Sequence, residues 1–208
     1  WIADGIYYPS RQRSGDPLTV TFQINFDMDG IKIYGGFAGN ESELEQRDPR
    51  VNEVILSGDI DQNDGVFNPN KDSDNNDRTP NQTDHQIGQN IYNVFYLIGE
   101  SSGDGGFTRE TVIDGVTITG GNGRENNNIE DARAGGLYCL GGECSPTVNN
   151  VIFKGNVGGL GGAIAIDGES VRQKSQPLIS NCIFYGNAAV GGGAIYSTDI
   201  EGGTSEPE

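Results

Sequence analysis

The chain has 208 residues, and its 30 acidic against 13 basic side chains give it a net charge of −17. This balance argues against nucleic acid, anionic membrane surfaces and anionic polysaccharides as partners, and it favours cations, although the same acidity would also simply keep an extracellular protein soluble. No apolar run approaches the about 20 residues that a membrane-spanning helix needs, so membrane insertion is not expected.

The first part of the chain predicts a series of short strands. They are Trp1–Tyr8, Ile31–Asn40 and Glu53–Asp59, each rich in β-branched or aromatic residues. The segment Glu41–Asp48 lies between the second and third strands and predicts one or two helical turns. The chain opens at Trp1 without Met or a signal peptide, which indicates a processed product or a piece of a longer protein.

The segment Asp59–Asp84 holds seven Asp and six Asn but only one Lys and one Arg. Clustered carboxylate and amide oxygens are the ligands that calcium (Ca²⁺) prefers, so the segment predicts a calcium site. The candidate ligands form two sets, Asp59, Asp61, Asn63 and Asp64, then Asp72, Asp74 and Asp77. The match to an EF-hand loop is partial, because Asp64 stands where glycine is expected and no glutamate closes the loop. The segment belongs to an acidic loop insertion expected over residues 59–90. The alternative to a calcium site is that the segment is solvated and disordered.

The second half of the chain repeats one phrase. PTVNNVIFKGN at Pro146–Asn156 matches PLISNCIFYGN at Pro177–Asn187 position by position, and Val112–Asn122 is a looser copy. A second phrase follows each copy, as GGLYCL at Gly135, GGAIAI at Gly161 and GGAIYS at Gly192, and NVFYLIG from Asn93 is a degenerate version. Repeats of this kind indicate a solenoid, because a short strand pair buries its apolar face only against the next copy.

The repeat also predicts which residues lie above one another. Val148, Val151 and Phe153 are expected to point inward, each next to its equivalent in the following copy, which is Ile179, Cys182 or Phe184. Asn156 is expected over Asn187 as an amide ladder. The paired glycines are expected at corners of the backbone, and they are Gly161, Gly162, Gly192 and Gly193.

The chain has three cysteines. Cys139 and Cys144 bracket the sequence CLGGEC, so they are candidates for a local disulfide in an oxidising compartment. The alternative is that all three are small buried thiols. Cys182 stands where the preceding copy has Val151, which predicts a place in the core.

The pairing of FxxN with GGA[ILV] resembles the repeat of polymorphic outer-membrane proteins, which are autotransporter passenger domains. FKGN at Phe153, FYGN at Phe184 and the GGAI motifs at Gly161 and Gly192 carry this resemblance. The first half is similar to segments common in bacterial surface and secreted β-helix proteins, and the two together cover about four-fifths of the chain. The resemblance implies an all-β fold, namely a right-handed parallel β-helix with long loop insertions, as well as secretion and often adhesion. It carries over no catalytic residue, and such passengers are usually much longer.

The sequence therefore predicts one β-helix domain over residues 1–198 and an acidic tail or linker over 199–208. The expected function is that of a non-catalytic structural or adhesive module of an exported bacterial surface or matrix protein, at the cell surface or outside the cell. Its expected partner is an extracellular glycan or protein ligand. Two alternatives stay open: a subunit that stacks end to end with itself into a fibre, and a polysaccharide-binding or pectate-lyase-like module.

A lyase of that kind would need carboxylates close to an arginine base. The candidates in the sequence are Arg109, Arg124 and Arg133, which lie near Asp114 and Asp131. Such pairs are more typical of surface ion pairs of little energy. Asp114 and Asp167 belong to different phrases of the repeat and need not share a face, so no catalytic residue is expected.

Overall fold

The computed structural model describes residues 1–65, 89–100, 105–123, 132–168, 174–199, 204–205 and 207–208. Within these residues the chain forms nineteen short β-strands and three 3-10 helices, at Pro17–Thr19, Phe26–Met28 and Leu44–Gln46. Every pair of these strands is parallel except the pair formed by the second and third strands. The protein is therefore all-β, with its strands in parallel sheets. None of the helices in this part of the chain is long and apolar enough to cross a membrane.

Three larger sheets each take one strand from every repeat of the second half. The five-stranded sheet has the order β1 (Gly5–Tyr7), β5 (Val54–Ser57), β8 (Thr117–Thr119), β11 (Ile152–Lys154), β16 (Ile183–Tyr185). The four-stranded sheet has the order β15 (Leu178–Ser180), β10 (Thr147–Asn149), β7 (Val112–Asp114), β4 (Lys32–Tyr34). The six-stranded sheet has the order β18 (Ile195–Asp199), β13 (Ile164–Gly168), β9 (Leu137–Leu140), β6 (Phe95–Ile98), β3 (Val20–Asn25), β2 (Arg11–Gln12). Two small sheets pair β12 (Val157–Leu160) with β17 (Ala188–Gly191), and β14 (Lys174–Ser175) with β19 (Thr204–Ser205).

Equivalent residues of successive repeats lie side by side. Phe153 in β11 pairs with Phe184 in β16 and with Ile118 in β8. The rings of Phe153 and Phe184 are parallel within 2°, and their centroids are 5.2 Å apart. Val148 in β10 pairs in the same way with Ile179 in β15. Like side chains therefore form columns at the spacing of neighbouring strands, which is about 4.8 Å.

The columns that point between the larger sheets form the apolar core. Side chains alternate along each strand, so Phe153 points inward while Ile152 and Lys154 point outward. The buried members of the core include Phe95, Leu97, Phe107, Ile113, Ile118, Leu137, Val148, Val151, Ile164 and Ile166. Tyr96 and Tyr138 alternate with these residues and belong to a second, smaller cluster on the outer face of the six-stranded sheet.

Corners between strands use left-handed backbone. Asn150 and Asn181, which follow β10 and β15, have φ angles of 51° and 52°, a conformation that asparagine tolerates better than most residues. Gly161 and Gly192 open the second phrase of two repeats with φ angles of 71° and 63°. A Cβ atom on Gly162 would collide with a backbone carbonyl of the next repeat. The repeated glycines are therefore fixed by backbone conformation and by close approach.

The six-stranded and five-stranded sheets end differently at the N-terminal end of the protein. β2 pairs antiparallel with β3 and ends the six-stranded sheet there. β1 runs parallel to β5 and ends the five-stranded sheet. Trp1 stacks on Phe37, with ring centroids 4.6 Å apart, and this contact holds the first residues against the body of the protein.

The described residues near the C-terminus, within the expected acidic tail or linker, pair with the preceding repeat. β19 pairs in parallel with β14. The Glu208 N–H donates to the Pro177 carbonyl at 3.0 Å, and the Ile179 N–H donates to the Glu208 carbonyl at 2.8 Å. The reason lies in the sequence, since Ser-Glu-Pro at 205–207 repeats Ser-Gln-Pro at 175–177. The acidic composition hides this match, because position 206 is a charged glutamate whereas position 176 is a neutral glutamine.

Candidate functional site

A groove of about 590 Å³ runs along the outer face of the five-stranded sheet. Its floor is formed by Thr117, Ile152 and Ile183, which lie side by side in register on β8, β11 and β16. Ile183 is 55% exposed, so part of this floor is an open aliphatic surface. The wall of the groove is the segment 44–54, which contains the helix Leu44–Gln46.

The rim of the groove carries charges of both signs, from Glu45, Asp48, Arg50 and Glu53. Arg50 and Asp48 form an exposed ion pair with an Nε–Oδ1 distance of 3.2 Å, and the hydrogen bonds from Arg50 lower the pKa of Asp48. An ion pair this exposed adds little to stability, so both groups stay available to a ligand. The Thr117 hydroxyl donates a hydrogen bond to Glu53 at 3.0 Å, and this bond ties the wall to the floor.

A buried ion pair fixes the wall of the groove to the four-stranded sheet. Arg47 Nη2 lies 2.8 Å from Asp114 Oδ1, and Arg47 Nη1 donates to the Gly35 carbonyl at 3.1 Å. Asn149 and Asn150 of the next repeat donate to Asp114 at 2.9 and 3.2 Å. The Arg47 and Asp114 side chains keep only 14% and 8% of their surface exposed. Asp114 is therefore held by three side-chain partners, and it fixes the groove wall in place.

This arrangement corrects the expected arginine pairs. Asp114 pairs with Arg47 rather than with Arg109, which instead lies 2.8 Å from a carboxylate oxygen of Glu208. Arg47 is distant in sequence, and it reaches Asp114 because β4 and β7 are neighbours in one sheet. The Arg47–Asp114 pair is also buried, whereas the sequence pattern predicted ion pairs on the surface. Arg124 and Asp131 lie outside the described residues.

A second buried carboxylate lies on the outer face of the six-stranded sheet. Asp167 on β13 accepts a hydrogen bond from the Tyr138 hydroxyl at 2.7 Å and lies 2.9 Å from Arg133 Nη1. The Tyr138 ring meets the Tyr96 ring edge-on, with centroids 5.1 Å apart, and the Arg13 guanidinium lies 4.1 Å from the Tyr96 centroid. Burial raises the pKa of Asp167 despite its partners, and burial followed by the charge of Asp167 raises the pKa of Tyr138.

The two buried carboxylates belong to different sheets, as their places in different phrases predict. Asp114 ends β7 of the four-stranded sheet, and Asp167 lies in β13 of the six-stranded sheet. Internal donors engage each carboxylate. The two groups therefore do not face one another across a common substrate, which is the arrangement that glycoside hydrolysis uses.

The raised pKa of Tyr138 predicts a loss of stability at alkaline pH. A tyrosine in the unfolded chain ionises near pH 10, at about its unperturbed pKa, whereas folded Tyr138 keeps its proton. Above that pH the folded chain binds more protons than the unfolded chain, so the free energy of unfolding falls by about 1.4 kcal/mol per pH unit for this group. Urea titrations between about pH 9 and 11 measure the slope, and Tyr138→Phe should flatten it. An equal slope in that variant would contradict the assignment.

The described part of the acidic segment is a hydrogen-bonded loop. Asp59 accepts hydrogen bonds from the backbone N–H groups of Asn63 at 3.1 Å and Asp64 at 3.2 Å. Asp61 accepts from the Asn63 amide at 2.9 Å and from the Gln89 N–H at 3.0 Å. Among the residues that the structure describes, no three acidic, histidine or cysteine side chains converge as metal ligands. Asp72, Asp74 and Asp77 lie outside those residues, so calcium binding stays a prediction.

The expected amide ladder ties each repeat to the one before it. Asn156 Nδ2 donates to the Ile118 carbonyl at 3.0 Å, and Asn156 Oδ1 accepts the Gly121 N–H at 3.1 Å. One repeat later, Asn187 Nδ2 donates to the Phe153 carbonyl at 2.8 Å. Asn187 Oδ1 accepts both the N–H and the Nδ2 group of Asn156, at 3.1 and 3.0 Å. The asparagines of the FxxN motif therefore satisfy backbone groups at the turn between two strands.

Cys139 and Cys144 form a disulfide that closes the turn after β9, with their Cα atoms 6.2 Å apart. Both residues are buried in the core. Cys182 is a free thiol and only partly buried, and its Sγ lies 3.5 Å from the Val148 carbonyl. The disulfide therefore joins two neighbouring core positions of one repeat.

Loss of the disulfide is expected to cost about 2 kcal/mol of unfolding free energy, the value for a loop of this length. The double variant Cys139→Ala/Cys144→Ala should show this loss in urea unfolding, because its unfolded chain is less constrained. A reducing agent should destabilise the native chain by the same amount and leave the double variant unchanged. A reductant effect of equal size in both proteins would contradict the prediction.

Comparison with protein-family models, with curated proteins and with solved structures found no match to this chain. The resemblance to the outer-membrane repeat therefore rests on the FxxN and GGA[ILV] residues alone.

Proposed function

We propose that the chain is a right-handed parallel β-helix that serves as a non-catalytic structural or adhesive module of an exported bacterial surface or matrix protein. The order of the strands supports the helix. In each of the last two repeats the chain passes through the four-stranded, five-stranded, two-stranded and six-stranded sheets in that order. A chain that visits the same parallel sheets repeatedly winds as a coil, and parallel crossover connections are right-handed in nearly all proteins.

The single observation that carries the adhesive role is the groove over the five-stranded sheet. Its aliphatic floor lies on stacked strands, and the Arg47–Asp114 pair holds its wall rigidly. Its rim offers exposed carboxylates and one exposed guanidinium. Pre-formed clefts that combine an apolar floor with a few fixed polar groups are the usual form of binding sites. The groove is therefore the proposed contact surface for an extracellular glycan or protein.

Two further features fit the proposal of an exported, non-catalytic module. The disulfide between Cys139 and Cys144 belongs to an oxidising compartment, because cytosolic thiols are kept reduced. The two buried carboxylates are engaged by internal donors, so they serve the fold in this proposal rather than a reaction.

The test is a binding panel of immobilised neutral and acidic glycans and extracellular-matrix proteins. Ile183→Glu, which puts a charge on the groove floor, should weaken binding at least about tenfold. Val190→Glu is the matched control, because Val190 is also exposed but lies outside the groove. Equal binding by both variants would count against the groove. Release of sugar from any glycan would replace the adhesive proposal with the lyase-like alternative.

Calcium is proposed as a stabilising ion of the acidic segment, with Asp72, Asp74 and Asp77 as the main carboxylates. An ion that binds only the folded chain at 100 times its dissociation constant adds about 2.7 kcal/mol. For a chain of this size that gain corresponds to a rise in melting temperature of about 5–10 °C. Thermal melts with calcium, with magnesium and with a chelator measure this rise. The variant in which Asp72, Asp74 and Asp77 are all replaced by Asn should show no calcium-dependent change in melting temperature. Identical melting temperatures with calcium and chelator would overturn the proposal.

A further inference from the structure

We infer that the groove takes a basic, extended segment of another protein, rather than a glycan. The lysine or arginine side chains of that segment reach the rim of the groove, and its apolar side chains rest on the floor. This inference rests on the proposed adhesive function, because it names the class of ligand that the same groove binds.

The groove keeps an excess of negative charge after its own ion pairs have formed. Each of its two guanidinium groups already has a carboxylate partner. The pairs are Arg47 with Asp114 at 2.8 Å and Arg50 with Asp48 at 3.2 Å. The two remaining carboxylates of the rim, Glu45 and Glu53, are exposed, and no described residue places a cationic group within ion-pair distance of either. The rim therefore offers two carboxylates to a cationic ligand.

The charge of Glu53 acts on the floor of the groove as well as on the rim. The hydrogen bond from the Thr117 hydroxyl, at 3.0 Å, holds the Glu53 carboxylate at the five-stranded sheet. Burial, and after it the charge of Glu53, raises the pKa of Tyr185 on β16, which lies two strands beyond Thr117. A cationic group placed over the floor would therefore be attracted by this carboxylate.

The floor of the groove favours apolar side chains over sugar hydroxyls. Ile152 lies on β11, which has β8 on one side and β16 on the other, and its side chain still keeps part of its surface exposed. A hydroxyl group placed against this aliphatic surface loses its water without gaining a hydrogen bond, which is unfavourable. An aliphatic side chain gains free energy from the same contact.

A basic protein segment uses both features of the groove at once. Lysine and arginine lay an aliphatic stem along apolar surface and keep the charged group at its edge. A neutral glycan would leave the two rim carboxylates without a counter-charge, and an acidic glycan would be repelled by them and by the net charge of −17. The volume of about 590 Å³ suits a short segment, since binding clefts of a few hundred cubic ångströms hold ligands of that size.

The test is fluorescence anisotropy of the full chain with a short labelled peptide that repeats Lys-Val-Ser. The native chain should bind this peptide, and binding should weaken as salt is added, because salt screens exposed charges over about 10 Å at 0.1 M. Two altered peptides separate the contributions of charge and apolar contact. The peptide that repeats Glu-Val-Ser should not bind, and the one that repeats Lys-Ser-Ser should bind at least about tenfold more weakly.

A double variant of the rim tests the two carboxylates directly. Glu45→Gln combined with Glu53→Gln should raise the dissociation constant of the Lys-Val-Ser peptide about tenfold and make it less dependent on salt. Glutamine at position 53 still accepts the hydrogen bond from Thr117, so the wall of the groove stays in place. Asp27→Asn combined with Glu110→Gln is the matched control, because it removes the same charge at exposed positions outside the groove. This control should bind the peptide as the native chain does.

Three results overturn the inference. They are a native chain that does not bind the Lys-Val-Ser peptide, equal binding of the lysine and glutamate peptides, and equal weakening by the rim variant and its control. The fate of the adhesive proposal is read separately from Ile183→Glu in the glycan and matrix panel. A neutral glycan whose binding Ile183→Glu abolishes, without binding of the basic peptide, overturns the inference and leaves the adhesive proposal standing. If Ile183→Glu changes no interaction of the chain, the groove is not the contact surface and both proposals fail.

Discussion

Replacing Phe153 with alanine is expected to lower the free energy of unfolding by about 3–5 kcal/mol, the range for a large buried aromatic side chain. Phe153 is fully buried, and it lies between Ile118 and Phe184 in the column of the five-stranded sheet. Its removal leaves a cavity that the neighbouring strands cannot fill, because their backbones are fixed by parallel hydrogen bonds on both sides. The truncation also exposes one face of the Phe184 ring, which now stacks at 5.2 Å.

Ile152→Ala is the matched control, because Ile152 is next to Phe153 in the same strand but points outward and is only partly buried. This variant should lose about 1 kcal/mol or less, since surface positions away from special features change stability little. Urea unfolding of both variants measures the difference. Equal losses in the two would mean that the side chains do not alternate as the register requires. The columns of the core, and the β-helix proposed from them, would then be wrong.

The stacking of the second half follows from the sequence because the repeats at 146–156 and 177–187 align position by position. Phe153 and Phe184, or Asn156 and Asn187, occupy matching positions of one phrase, so their register needs no knowledge of the loops. Strand β3 was not predicted, although Val20–Asn25 alternates apolar and polar residues as a half-buried strand does. Strand β3 is not part of the repeated sequence. The local pattern of one short strand is too weak to distinguish that strand from a loop.

The groove could not be predicted from the sequence, for a different reason. Its floor comes from three repeats, and its wall comes from the segment 44–54 that precedes them in the chain. Only the pairing of β4 with β7 brings Arg47 to Asp114, so proximity in sequence favoured the wrong arginine.

Removal of the Asp167 carboxylate is the second large effect that we expect. Asp167→Ala should cost about 3–5 kcal/mol, because it leaves a buried guanidinium without its counter-charge. Arg133 keeps only 14% of its side-chain surface exposed, so water cannot fully replace the lost partner. The Tyr138 hydroxyl loses its acceptor in the same step, and an unpaired buried hydroxyl adds its own desolvation cost. The comparison is Asp48→Ala, because its pair with Arg50 is exposed and should contribute little to stability.

A double-variant cycle separates the loss of the ion pair from the cost of an orphaned charge. Arg133→Met combined with Asp167→Ala removes both charges. The double variant should therefore lose less unfolding free energy than the two single variants lose together. Replacing a buried ion pair with apolar residues is often close to neutral, whereas breaking it from one side is not. Urea unfolding at neutral pH gives the coupling energy, which should lie between about 1 and 3 kcal/mol. Strictly additive losses would mean that Arg133 and Asp167 do not depend on one another.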